Sequence, residues 1–94
     1  MTVEELIYFF EKHDNCYLKG SVIGPTDRSD LNALILLNRL VPGKSRIVAC
    51  AEDDEMYLDV AMEDLAAVAS EEDVVTLIRL GVIHDQEFGL KIFA

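Results

Sequence analysis

Two histidines and two cysteines, His13, Cys16, Cys50 and His84, are the side chains of this 94-residue sequence best suited to metal ligation or nucleophilic chemistry. Zinc sites usually draw ligands from close pairs such as C-x-x-C, which fix half of the tetrahedron locally. Only His13 and Cys16 lie near each other in the chain, so a zinc site is not expected. Nucleophilic catalysis needs a thiol or hydroxyl within reach of a base, and neither cysteine sits in a motif that arranges one. Glycine-rich phosphate cradles are absent. The acidic run from Asp53 departs from the calcium-loop order, because Tyr57 and Leu58 stand where an oxygen ligand and the turn glycine are required. The expectation is a non-enzymatic protein with no metal and no cofactor. His13, close to the end of the first predicted helix, suits the negative end of that helix dipole. The two cysteines, too few for a disulfide scaffold, are expected to be buried, reduced, small hydrophobes.

The remaining chemistry is carboxylate chemistry, and it is unevenly placed. Residues 1 to 50 hold six acids and six bases, whereas residues 51 to 94 hold twelve acids against Arg79 and Lys91 alone, so the whole formal charge of −10 belongs to the second half. Nucleic-acid affinity comes from Lys and Arg releasing condensed counterions, and this half cannot supply it. The acids Glu52, Asp53, Asp54, Glu55, Asp59, Glu63, Asp64, Glu71, Glu72 and Asp73, with Tyr57 as an aromatic contact, are the expected partner-binding residues. Carboxylates on a rigid scaffold can imitate a run of phosphates, and their field steers a basic partner toward them. This pattern predicts a binding module that docks on the basic surface of a nucleic-acid-handling protein as an inhibitor or regulator. Phage-encoded inhibitors of restriction or CRISPR systems exemplify that functional class. The alternative is an oligomerising or accessory structural module that uses apolar surface from the second helix or the last strand.

These residues need elements to hold them. Thr2-Val3-Glu4-Glu5 has the T-x-x-E form of a capping box and predicts a helix to about Lys12, with Val3, Leu6, Ile7 and Phe10 on its core stripe and Tyr8 opposite. Cys16 to Lys19 alternates in polarity and predicts a short strand. After Gly24-Pro25, the polar residues Thr26 to Asp30 lead into a second helix that ends before Pro42-Gly43. It is apolar almost all round and is expected to be the most buried. Arg46 to Ala51 and Met56 to Val60 read as a hairpin whose loop is Glu52 to Glu55. Met62 to Ala69 suits a short helix, and Ser70-Glu71-Glu72-Asp73 suits the capped start of another, closed by Gly81. Val82-Ile83 and Phe88 to Phe93 flank a terminal hairpin turn, with Phe88, Leu90 and Ile92 on one face.

Together these predict one α+β domain over residues 1 to 94. A small antiparallel sheet, two hairpins plus a short strand, packs on three to four helices in the order α-β-α-β-β-α-α-β-β. A chain of this length buries roughly 60–65% of its unfolded surface, enough for one core. Residues 71 to 93 share the helix-then-hairpin layout that ends winged-helix DNA-binding domains, but the helix opens on three acids, which opposes phosphate contact. The longest apolar run, Leu34 to Leu37, is far short of the roughly 20 residues that cross a bilayer. No membrane span and no signal peptide are expected, and a cytoplasmic protein follows.

Overall fold

The computed structural model describes residues 1–16, 24–43, 46–52, 54–87 and 89–93. Among these residues, four helices and a four-stranded antiparallel sheet pack together in an α+β arrangement, as expected. The helices are α1 (Val3–Lys12), α2 (Ser29–Leu40), α3 (Met62–Val68) and α4 (Glu71–Arg79). The strands are β1 (Val48–Glu52), β2 (Glu55–Leu58), β3 (Val82–Asp85) and β4 (Gly89–Phe93). Of the short strand expected over Cys16 to Lys19, only Cys16 is described, and it closes a 3-10 turn, Asp14–Cys16. The rest of that strand, with Tyr17, lies outside the described residues.

Local chemistry sets the helix starts. In α1 the Thr2 hydroxyl accepts from the Glu5 N–H while the Glu5 carboxylate accepts from the Thr2 N–H, and Ser70 and Asp73 repeat this at α4. Each capping box satisfies two backbone donors that have no partner inside the helix. Helix α4 stops where Gly81 takes a φ of 101°, a conformation other residues adopt only with strain.

Strand order in the sheet is β1-β2-β4-β3, so the terminal hairpin joins the first one through β4 against β2. Side chains alternate across the pleat. The register aligns Leu58 with Leu90 and His84, and Met56 with Ile92 and Val82, on the inner face. Tyr57, Lys91 and Ile83 line up on the outer face. The inner face meets Leu6 and Phe10 of α1, Leu65 of α3, and Val74, Leu77 and Ile78 of α4 to form one core.

Two expectations about burial are corrected. Helix α2 is not the most buried helix, since Leu31 and Ile35 are 42% and 38% exposed and only Asn32, Ala33 and Leu37 are buried. A helix that is apolar all round can offer only one stripe to a core of this size, and the opposite stripe remains in solvent. Cys50 is exposed rather than buried, because it lies on the outer face of β1, an outer strand of the sheet, next to Tyr57. A lengthwise irregularity between Val48 and Cys50 shifts the register of this strand.

Candidate functional site

The acids singled out from sequence fall into three groups. Glu52 ends β1, Asp54 occupies the hairpin turn and Glu55 begins β2, whereas Asp59, Glu63 and Asp64 follow the far end of β2. About 10 Å of strand separates the two ends. Glu71, Glu72 and Asp73 form the first turn of α4. Asp53 lies outside the described residues.

Several of these carboxylates are already engaged. Glu55 accepts from the Tyr57 hydroxyl at 2.7 Å and from the Lys91 ammonium at 3.2 Å. Those contacts, the tyrosine first, hold its carboxyl below the usual glutamate range. Lys91 also lies 3.3 Å from Asp85, and the Glu55 and Asp85 bonds raise its ammonium above the ordinary lysine value. Glu71 accepts from the His13 imidazole at 2.7 Å and lies 3.6 Å from Lys12, which lowers its carboxyl, the histidine bond first. Asp73 caps α4. Asp54, Asp59, Glu63, Asp64 and Glu72 are exposed, and no ion pair among the described residues holds them. Glu63, Asp64 and Glu72 sit in the first turns of α3 and α4, where the helix dipoles favour negative charge.

A second feature was not legible in the sequence. A cleft of about 540 Å³ opens beside β3, within the roughly 300–1,000 Å³ range of ligand-sized clefts. Phe10, Ile78 and Leu80 give it an apolar floor. Val82, Ile83 and His84 all line it, although Val82 and His84 share one face of the sheet and Ile83 occupies the other. Lining residues from both faces of an outermost strand are what a cavity running along its edge would touch. Glu11, Asp14 and Asp30, all exposed, stand around it. His84 is half-buried, its ring 6.4 Å from that of Phe10. The lining comes from the end of α1, the start of α2 and the α4–β3 junction, segments far apart in the chain, so no local motif announces it.

Among the described residues, no three of His, Cys, Asp and Glu gather closely enough to hold a metal ion. No described helix is long and apolar enough to cross a membrane. Neither a known protein family, nor a characterised protein, nor a solved structure matches this chain.

Proposed function

We propose that the protein is a non-catalytic binding module that docks through carboxylates on the basic surface of another protein, as an inhibitor or regulator of a nucleic-acid-handling machine. The observation that carries this reading is the set Asp59, Glu63, Asp64 and Glu72, exposed and without an ion pair among the described residues, on a chain of net charge −10. Glu55, Glu71 and Asp73 serve the fold itself, so the docking residues are the former set, joined by Asp54 at the hairpin turn. The short helix α3 holds Glu63 and Asp64 in place and the capped helix α4 holds Glu72, which keeps the entropic cost of presenting the charges low. Unpaired exposed charge of one sign accelerates encounter with a surface of the other sign and makes the complex sensitive to salt.

The test is capture from a lysate on the immobilised protein, run in parallel with the Glu63→Gln/Asp64→Asn/Glu72→Gln variant, which removes charge while leaving helix-compatible side chains. A basic protein should be retained at about 50 mM salt and released at about 500 mM. It should bind the variant more than about tenfold more weakly and should be displaced by DNA or RNA. Retention that ignores salt and the three neutralisations would overturn the reading.

One observation favours a different reading. Leu31 and Ile35, four residues apart on α2, form an exposed apolar stripe of the kind used in helix-to-helix association. In that case the protein is an oligomerising module. Light scattering would then show a dimer that survives high salt and dissociates in Leu31→Lys/Ile35→Lys.

A further inference from the structure

We infer that the cleft beside β3 is a peptide-binding groove that takes an extended segment of a partner protein carrying alternate cationic and apolar side chains. This goes beyond the proposed docking function, since none of the groups involved belongs to the carboxylates of Asp59 to Glu72.

Three observations converge. The first is the strand edge at the end of the sheet. Strand β3 ends the sheet, and from Val82 to His84 it has no strand partner but β4 among the described residues. An extended segment laid alongside would find backbone N–H and C=O groups ready to pair, the mode by which a sheet gains a strand from a partner. The second is the floor. Phe10, Ile78 and Leu80, each only 3–4% exposed, close the bottom of the cleft, and the apolar surface open beside that edge is that of Ile83, 37% exposed, against which alternate side chains of an added strand would pack. The third is charge. Glu11, Asp14 and Asp30 surround the cleft, and no ion pair among the described residues engages them.

These features select one occupant. A helix would leave the strand edge unpaired, and an acidic or purely polar segment would face the three carboxylates or leave the floor wet. In an extended chain every second side chain points the same way, so one set enters the floor while the other reaches the carboxylates at the rim. Arginine or lysine at the rim positions and a β-branched or aromatic residue at the floor positions fit both. Val82 to His84 span about 7 Å, so the core of the bound segment is about three residues long.

The experiment is a titration of the isotope-labelled protein, followed by backbone amide NMR, with a synthetic peptide of about eight residues that alternates arginine and valine. Three further peptides serve as comparisons: the same sequence N-methylated at alternate residues, one alternating arginine and serine, and one alternating glutamate and valine. The arginine–valine peptide should shift the amides of Val82, Ile83 and His84, and each comparison peptide should bind at least about tenfold more weakly. Asp14→Asn/Asp30→Asn should weaken binding about fivefold with the fold intact, whereas Glu63→Gln/Asp64→Asn/Glu72→Gln should leave it unchanged. Equal binding of the N-methylated peptide would sink the strand-addition geometry. Shifts confined to residues 59 to 73 would assign basic peptides to the other carboxylate surface and overturn this proposal alone. Shifts at Val82 to His84 on raising the protein concentration by itself would assign the groove to a second copy of the chain and equally overturn it.

Discussion

The imidazole Nε2–H of His13 donates to a carboxylate oxygen of Glu71 at 2.7 Å, joining the C-cap of α1 to the first turn of α4. The negative end of α1 therefore lies beside the positive end of α4. Glu71 is favoured twice, by the start of its own helix and by the His13 and Lys12 side chains at the end of the other. In His13→Ala the Glu71 carboxyl should rise back toward the usual glutamate range, as followed by carboxyl-carbon NMR. The amides of Glu71 and Glu72 should also exchange faster while the sheet remains protected. A Glu71 titration that does not move would show that Lys12 and the helix start suffice.

Acid should destabilise the protein through three side chains in particular. Glu5 is held low chiefly by the Thr2 backbone N–H, Glu55 by Tyr57 and then Lys91, and Glu71 by His13. A carboxyl whose folded value is depressed contributes stability that is present above its unfolded value, about 4.3, and is lost as pH falls through the folded value, because the unfolded chain then binds more protons. Lys91 has the opposite sign. Its raised value contributes stability fully present below about 10.4 and lost as pH climbs through the folded value. Urea midpoints should accordingly form a plateau that falls away below about pH 4.3 and above about pH 10.4. Since Glu55 is the first cause of the Lys91 shift, Glu55→Gln should flatten both flanks. A flank on the acid side alone would separate Lys91 from Glu55.

How much of this was readable beforehand depends on the range of the forces involved. The caps at Thr2 with Glu5 and at Ser70 with Asp73 are bonds between residues three apart, so the sequence displays them directly. The hairpins over β1–β2 and β3–β4 likewise rest on short turns and local alternation. By contrast, the pairing of Leu58 with Leu90 joins segments about thirty residues apart and depends on total burial, for which no local pattern stands proxy. The side of α2 that faces the core was hidden for the same reason. Leu31, Ile35 and Leu37 are alike in chemistry, and only the placement of α2 on the core decides that Leu37 is buried. Glu11, Asp14 and Asp30 carry no signal at all beyond their charge, since their proximity to β3 is a product of the assembled fold.

The inside and outside of α2 can be measured. Leu37 is fully buried, and Leu37→Ala should cost about 2–5 kcal/mol in urea unfolding, from lost transfer energy plus the cavity left behind. Leu77→Ala in α4, at an equally buried position, should fall in the same range. Ile35→Ala, on the exposed stripe, should cost less than about 1 kcal/mol. An Ile35 substitution as costly as Leu37→Ala would mean that α2 buries its other face, in a dimer or otherwise, and the protein-concentration dependence of the midpoint would tell the two apart.

Asn32 is the one buried polar side chain among the described residues, and its bonds explain why. Its Oδ1 accepts from the Thr26 N–H at 3.0 Å and the Thr26 hydroxyl at 2.7 Å, and its Nδ2 donates to the Thr26 carbonyl at 2.8 Å. One side chain thus fastens the turn before α2 to the helix itself. Asn32→Ala should cost about 1–3 kcal/mol, because it leaves the Thr26 backbone groups unpaired in a partly buried site. Gly24 belongs to the same arrangement. Its φ is 130°, and a Cβ there would meet the Asn32 Cγ at 2.7 Å, so Gly24→Ala faces both backbone strain and a clash. Shortening Asn32 relieves the clash with Cγ and Nδ2 but leaves the backbone strain and the 3.0 Å approach to the Asn32 Cβ. In a double-mutant cycle, Gly24→Ala should therefore cost less in the Asn32→Ala background than alone, yet should still cost something. Strict additivity would mean that the glycine is required for its backbone conformation only, and the Asn32 side chain would then have no part in selecting it.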